Sequence, residues 1–175
     1  SIIERIPKVL QKNESVAYAI AHAAREREME PEILHWLEIA VDNTDANKPA
    51  PDLRATLATA ILQAFEKRHD VQSGMQITSA DKKRLEHALA LLDDAIGTLE
   101  NSETLKYRTN WVGNRAVAHK LLGHQDKALA DAELAIKLEP NNPGFLRQKA
   151  FLLHEQGKSD DAIIIFKQIL GNPKV

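Results

Sequence analysis

At 175 residues the chain has room for one sizeable core or a short array of repeats. Its 43% hydrophobic and 27% charged residues are ordinary for a folded domain, and 23 basic against 25 acidic side chains leave a net charge of -2, which excludes nucleic-acid binding driven by bulk positive charge. There is no cysteine, so disulfides and thiolate zinc sites are excluded, and no apolar run approaches the ~20 residues of a membrane-spanning helix. The absence of cysteine does not decide the compartment. Because the chain opens on Ser1 and stops abruptly after Leu170, a segment of a longer protein is expected.

In chain order, Ile2, Ile3, Ile6, Val9 and Leu10 have helical spacing over 2–11, with Pro7 tolerated only in a first turn. Asn13 or Ser15 is placed to cap a second helix carrying Val16, Ala17, Ile20, Ala21 and Ala24 on one face. The charged run Arg25-Glu26-Arg27-Glu28 reads as a solvated end. Glu30-Pro31 then starts a third helix, with Ile33, Leu34, Trp36, Leu37, Ala40 and Val41 as its apolar stripe. Residues 42–51 lack periodicity and are rich in breakers, so they read as a linker or long loop. A fourth helix runs from Asp52 to about Lys67, with Leu53, Leu57, Ala60, Ile61, Ala64 and Phe65 inward. A polar loop over 70–80 follows, and Asp81 opens a fifth helix to about Leu99. Asn101 or Ser102 caps a sixth helix, which starts early and is extended by a turn or more.

From residue 109 onward the pattern becomes periodic. Asn114-Arg115-Ala116, Leu121-Leu122-Gly123 and Asp126-Lys127-Ala128 recur 34 residues later as Gln148-Lys149-Ala150, Glu155-Gln156-Gly157 and Asp160-Asp161-Ala162. Pro140-Asn141-Asn142-Pro143 separates the copies. A fixed period with small residues at set points signals stacked helix pairs, each of which buries its apolar face only against a neighbour. Ala116 and Ala150 should face Ala128 and Ala162, because only small side chains let two helices approach at the short end of the ~8–10 Å range. Gly123 and Gly157 should end their helices in the left-handed conformation. Asp126, and Ser159 or Asp160, are placed to cap the second helix of each pair. Pro140 should stop a helix, Asn142 cap the next, and Pro143 fit its first turn. Ala88, Leu92, Ala95 and Ile96 reproduce the spacing of Ala128, Ala132, Ala135 and Ile136, which implies an earlier, less regular copy.

These residues resemble the tetratricopeptide repeat family. The resemblance implies an all-α fold, a right-handed superhelical array of antiparallel helix pairs. Residues 1–48 would then be N-terminal helices, a degenerate repeat or a cap. Residues 52–101 would be a degenerate repeat with an enlarged loop, and 102–175 two regular repeats. It also implies a groove lined by the first helix (A) of each pair, with a protein or peptide partner held against Asn110, Asn114, Val117, Lys120, Arg147, Gln148, Phe151 and His154. One branch of the family clamps a C-terminal carboxylate with a basic and asparagine set. Asn114-Arg115-Ala116 resembles the middle of that set, but Gly144 and Gln148 stand where lysine and arginine are expected. Arg147 is one residue early, a rotation of ~100° on a helix. Asn114 and Gln148 also suit an amide ladder along an extended peptide; the plainer reading has both facing solvent or capping a turn. Phe151 suits either a groove contact or a following repeat.

No enzymatic pattern appears: there is no H-E-x-x-H, no G-x-x-x-x-G-K-[ST] and no G-x-S-x-G. His119 reads as core, His124 as solvated, Trp36 and Trp111 as core, and Lys82-Lys83-Arg84 as a solvated run. No cofactor, catalytic residue, metal site or nucleic-acid partner is expected. The leading function is a non-catalytic interaction module. The alternative is an accessory or oligomerisation region of a larger enzyme or export machine, with a homo-oligomer formed through the apolar last helix (Ile163, Ile164, Ile165, Phe166, Ile169).

Overall fold

The computed structural model describes residues 14–25, 30–44, 50–68, 77–99, 102–106 and 108–171, which fall into two compact units, Ser1–Thr98 and Leu99–Val175. The helix expected over 2–11, Asn13 as a cap, and most of the loops at 42–51 and 70–80 lie outside the described residues. Every described element is helical.

The N-terminal unit contains α1 (Glu14–Arg25), α2 (Glu30–Asp42), α3 (Pro51–Arg68) and α4 (Ser79–Gly97). α1 packs on α2, α2 on α3, and α3 on α4. Ala17 and Ala21 bury against a stripe of Ile33, Trp36, Leu37 and Ala40, so alanine again marks a close helix approach. α3 buries Leu53, Leu57, Ile61 and Phe65 as their spacing requires, and also Ala55, Ala58 and Leu62. Those three widen its apolar face because α3 is packed by both α2 and α4.

One helix start in this unit differs from expectation, and at α1 one of the two cap candidates is set aside. α1 already begins at Glu14, so Ser15 lies within its first turn. Asp81 does not open α4. Thr78 is the cap: its Oγ1 accepts from the Asp81 backbone N–H at 3.1 Å and donates to the Asp81 carboxylate. The first of these bonds is the N-cap half of a capping box, and the second joins the cap hydroxyl to the acid three residues into the helix. Asp81 also receives Arg68 from the end of α3 at 3.6 Å, tying the two ends together.

The C-terminal unit contains α5 (Ser102–Lys106), α6 (Thr109–Leu121), α7 (Gln125–Leu138), α8 (Pro143–Glu155) and α9 (Ser159–Gly171). The expected long sixth helix is broken. Arg108 leaves helical geometry at φ -126°, ψ 27°, and the Thr109 hydroxyl donates to the Lys106 carbonyl at 2.8 Å. Arg108 then lies 5.3 Å from the centre of the Trp111 ring, a cation–π contact over a buried indole.

Both helix-pair turns close identically. Gly123 and Gly157 each have φ +79°. In the first turn Gly123 N–H donates to Lys120 O at 3.0 Å and His124 N–H to His119 O at 2.8 Å. In the second, Gly157 N–H donates to His154 O and Lys158 N–H to Leu153 O, both at 2.9 Å. These are paired Schellman bonds, which need a left-handed residue and therefore favour glycine. Asn142 caps α8 through Oδ1, which accepts from Gly144 N–H at 2.9 Å, and Pro143 occupies the first turn. Asp126 is not a cap. His124 holds that position without a side-chain bond, and Asp126 sits in the first turn, where its charge suits the helix N-terminus. Likewise Ala162 N–H bonds to Lys158 O, so Ser159 and Asp160 lie inside the first turn of α9.

The alanines meet as their register requires. Ala116, Ala128, Ala132 and Leu152 form one buried cluster, and Ala150, Leu153 and Ala162 another. Leu129 packs against both, so this one α7 side chain seats the second helix pair on the first.

Candidate peptide-binding face

The A helices α6 and α8 carry the predicted binding residues, and three contacts fix how they lie. Gln148 Nε2 donates to the Gly113 carbonyl at 3.0 Å. The Phe145 ring covers Gly113 so closely that a Cβ built there would fall 2.6 Å from Phe145 Cε1. Nearer the C-terminal ends, Lys120 Nζ meets Glu155 Oε1 at 2.8 Å. Early residues meet early ones and late meet late, so the two helices run side by side in the same direction. Their other side is held by the B helices. Arg115 forks onto Asp131, with Nε to Oδ2 at 2.8 Å and Nη2 to Oδ1 at 2.7 Å, and Lys149 Nζ meets Glu133 Oε1 at 2.8 Å. The bidentate geometry and partial burial make the Arg115–Asp131 pair the firmest polar tie within the first repeat.

The predicted site residues divide into two groups. Asn110, Arg147, Phe151 and His154 are exposed, and Val117 is half-buried. Phe151 is 48% exposed, and its ring is held edge-to-face by Phe166 with centroids 5.6 Å apart. His154 Nδ1 lies 3.0 Å from the Ser159 hydroxyl across the turn. Lys120 and Gln148, by contrast, serve the array itself through Glu155 and Gly113. Asn114 is half-buried and has a partner within the chain. Both register-equivalent amides are therefore engaged within the chain. Of the cations on α6 and α8, Arg147 is the one with no ion pair among the described residues.

Sequence reasoning missed the Arg115–Asp131 fork, which joins residues 16 apart on different helices. A signal existed, since each charge sits directly beside a core alanine. His119 is buried as expected, yet it is not purely a packing residue: its Nδ1 lies 3.3 Å from His124 Nδ1, and its Nε2 4.0 Å from Asp131. His124 is exposed but held by that contact. Also unforeseen was a cavity of about 580 Å³ in the N-terminal unit, between α2, α3 and α4, with Leu34, Val41, Leu57 and Ile61 among its walls. Among the described residues, no group of three or more His, Asp or Glu is placed to hold a metal ion, and no helix is long and apolar enough to cross a membrane.

Comparison with known proteins places this architecture. Residues 132–164 match the family model described as tetratricopeptide repeat. Small glutamine-rich tetratricopeptide repeat-containing protein 2 of Saccharomyces cerevisiae is 35% identical over 60 residues, which is 34% of this chain and only 17% of that protein's length. Among solved structures, MamA aligns over 91% of this chain and 78% of its own, with TM-score 0.66 and 14% identity. YrrB, described as a TPR protein with an unusual peptide-binding site, aligns over 90% of this chain and 68% of its own, with TM-score 0.67 and 14% identity. The 34-residue register, the matched repeat model and the all-helical fold together show that this chain carries tetratricopeptide repeats.

Proposed function

We propose that the exposed face of α6 and α8 binds a peptide or protein segment, and that the chain acts as a non-catalytic interaction module. The observation that carries this reading is a pair of parallel A helices, locked together by Gln148–Gly113 and Lys120–Glu155, that leaves Asn110, Arg147, Phe151 and His154 exposed. A rigid face of this kind loses little conformational entropy on binding. YrrB, with the same fold, is described as having a peptide-binding site. A displayed random-peptide library selected on the protein should yield binders, and Phe151→Ala should weaken them about tenfold, a loss of ~1.4 kcal/mol. Lys83→Ala, on α4 of the other unit, should leave them unchanged. Binders indifferent to every change on α6 and α8 would remove the reading.

A second reading rests on α9, where Ile163, Ile164 and Leu170 are 48%, 64% and 88% exposed. Such an apolar row supports an accessory or self-association surface.

A further inference from the structure

Charge is segregated within the C-terminal unit. The A helices α6 and α8 carry Arg115, Lys120, Arg147 and Lys149 against Glu155 alone, a formal +3. The B helices α7 and α9 carry Asp126, Asp131, Glu133, Asp160 and Asp161 against Lys127, Lys137 and Lys167, a formal -2. Three A-helix cations are already neutralised by Asp131, Glu155 and Glu133. Arg147 is exposed and has no carboxylate partner among the described residues. It lies four residues, about one helical turn, before Phe151, so the two Cβ atoms are ~5–6 Å apart on one face. In an extended peptide, alternate side chains on one side are spaced ~6.6–6.8 Å.

Resting on the reading of α6 and α8 as a peptide site, we infer that its occupant is an extended acidic peptide. An Asp or Glu side chain sits on Arg147, and an aromatic or branched apolar residue two positions away sits on the Phe151 ring. The carboxylate comes from a side chain and not from a chain terminus. The positions that would complete a terminal clamp are Gly144, which offers no side chain, and Gln148, whose amide is bonded to Gly113. Phe151 is suited to the anchor role because Phe166 fixes its ring while leaving half of it exposed.

The test uses fluorescence polarisation with ten-residue probes acetylated at one end and amidated at the other. Four pools with random flanks carry Asp-x-Phe, Asn-x-Phe, Lys-x-Phe or Asp-x-Ala at the centre, and a fifth ends in Phe with a free carboxylate. The wild-type chain should bind Asp-x-Phe most tightly, roughly fivefold better than Lys-x-Phe, in keeping with a solvent-accessible ion pair. Arg147→Glu should invert that order, and Arg147→Gln should flatten it. Raising the salt concentration should narrow the preference. If the pools bind but rank identically on wild type and Arg147→Glu, the acidic-partner inference fails while the peptide face stands. If the free-carboxylate pool binds best, the occupant is a chain terminus and the inference fails. If no pool binds, the face reading and the inference fall together. Arg147 is exposed, so these variants keep the fold, which circular dichroism verifies.

Discussion

Gly113→Ala tests the close approach that joins the two regular repeats. In a helix, replacing glycine by alanine contributes ~1 kcal/mol of stability through backbone entropy. At Gly113 the new methyl would stand 2.6 Å from Phe145 Cε1 and 3.2 Å from Cδ1. The Phe145 ring is buried, so it moves only by displacing its neighbours or by shifting α8. That shift would strain the 3.0 Å bond from Gln148 to the Gly113 carbonyl. Overpacking a buried site costs ~1–3 kcal/mol, so the net result lies between neutral and ~2 kcal/mol destabilising. Gly97→Ala is the control, because a Cβ there meets nothing within 4 Å. It should gain the same ~1 kcal/mol of helix stability without the clash. The two variants should therefore differ by ~1–3 kcal/mol in urea denaturation followed by circular dichroism. In thermal melts each kcal/mol corresponds to ~2–4 °C at this chain length. Adding Phe145→Leu should relieve part of the Gly113→Ala defect. Equal stability of Gly113→Ala and Gly97→Ala would refute the argument that glycine is required for the α6–α8 approach.

Three further outcomes are expected. Ala162→Leu, in the cluster with Ala150 and Leu153, should cost ~1–3 kcal/mol by overpacking, and an unchanged melting temperature would contradict the assigned contact. Asn142→Ala removes the acceptor for Gly144 N–H at the start of α8 and should cost ~0.5–2 kcal/mol in chemical denaturation. Light scattering over a range of concentrations should show any self-association of the wild type falling in Ile164→Asp, since Ile164 is exposed on α9; self-association unaffected by that change would move the contact elsewhere.

Much of the helical layout was legible because it depends on local chemistry. Gly123 and Gly157 announce their turns because a left-handed residue is needed there, and both have φ +79°. Asn142-Pro143 announces a helix start for the same kind of reason. The caps at Thr78 and His124 were less legible. Several side chains in each stretch could occupy those positions, and the choice depends on where the preceding turn releases the chain. The break at Arg108 also escaped notice, since it accompanies a cation–π contact and a threonine bond that periodicity does not encode.

The site was legible to a different depth. The family resemblance, laid on the 34-residue register, named Asn110, Arg147, Phe151 and His154 among the outward-facing residues of the A helices, and all four are exposed. It could not reveal that Gln148 bonds to Gly113 or that Lys120 pairs with Glu155, since each partner comes from the next repeat and the choice depends on how closely the helices stack. The sequence by itself determined the repeat, its small-residue seams and its exposed faces, all of which follow from local propensity and period. Tertiary structure decided which polar side chains were consumed in holding the repeats together and which, Arg147 among them, stayed exposed without an ion pair among the described residues.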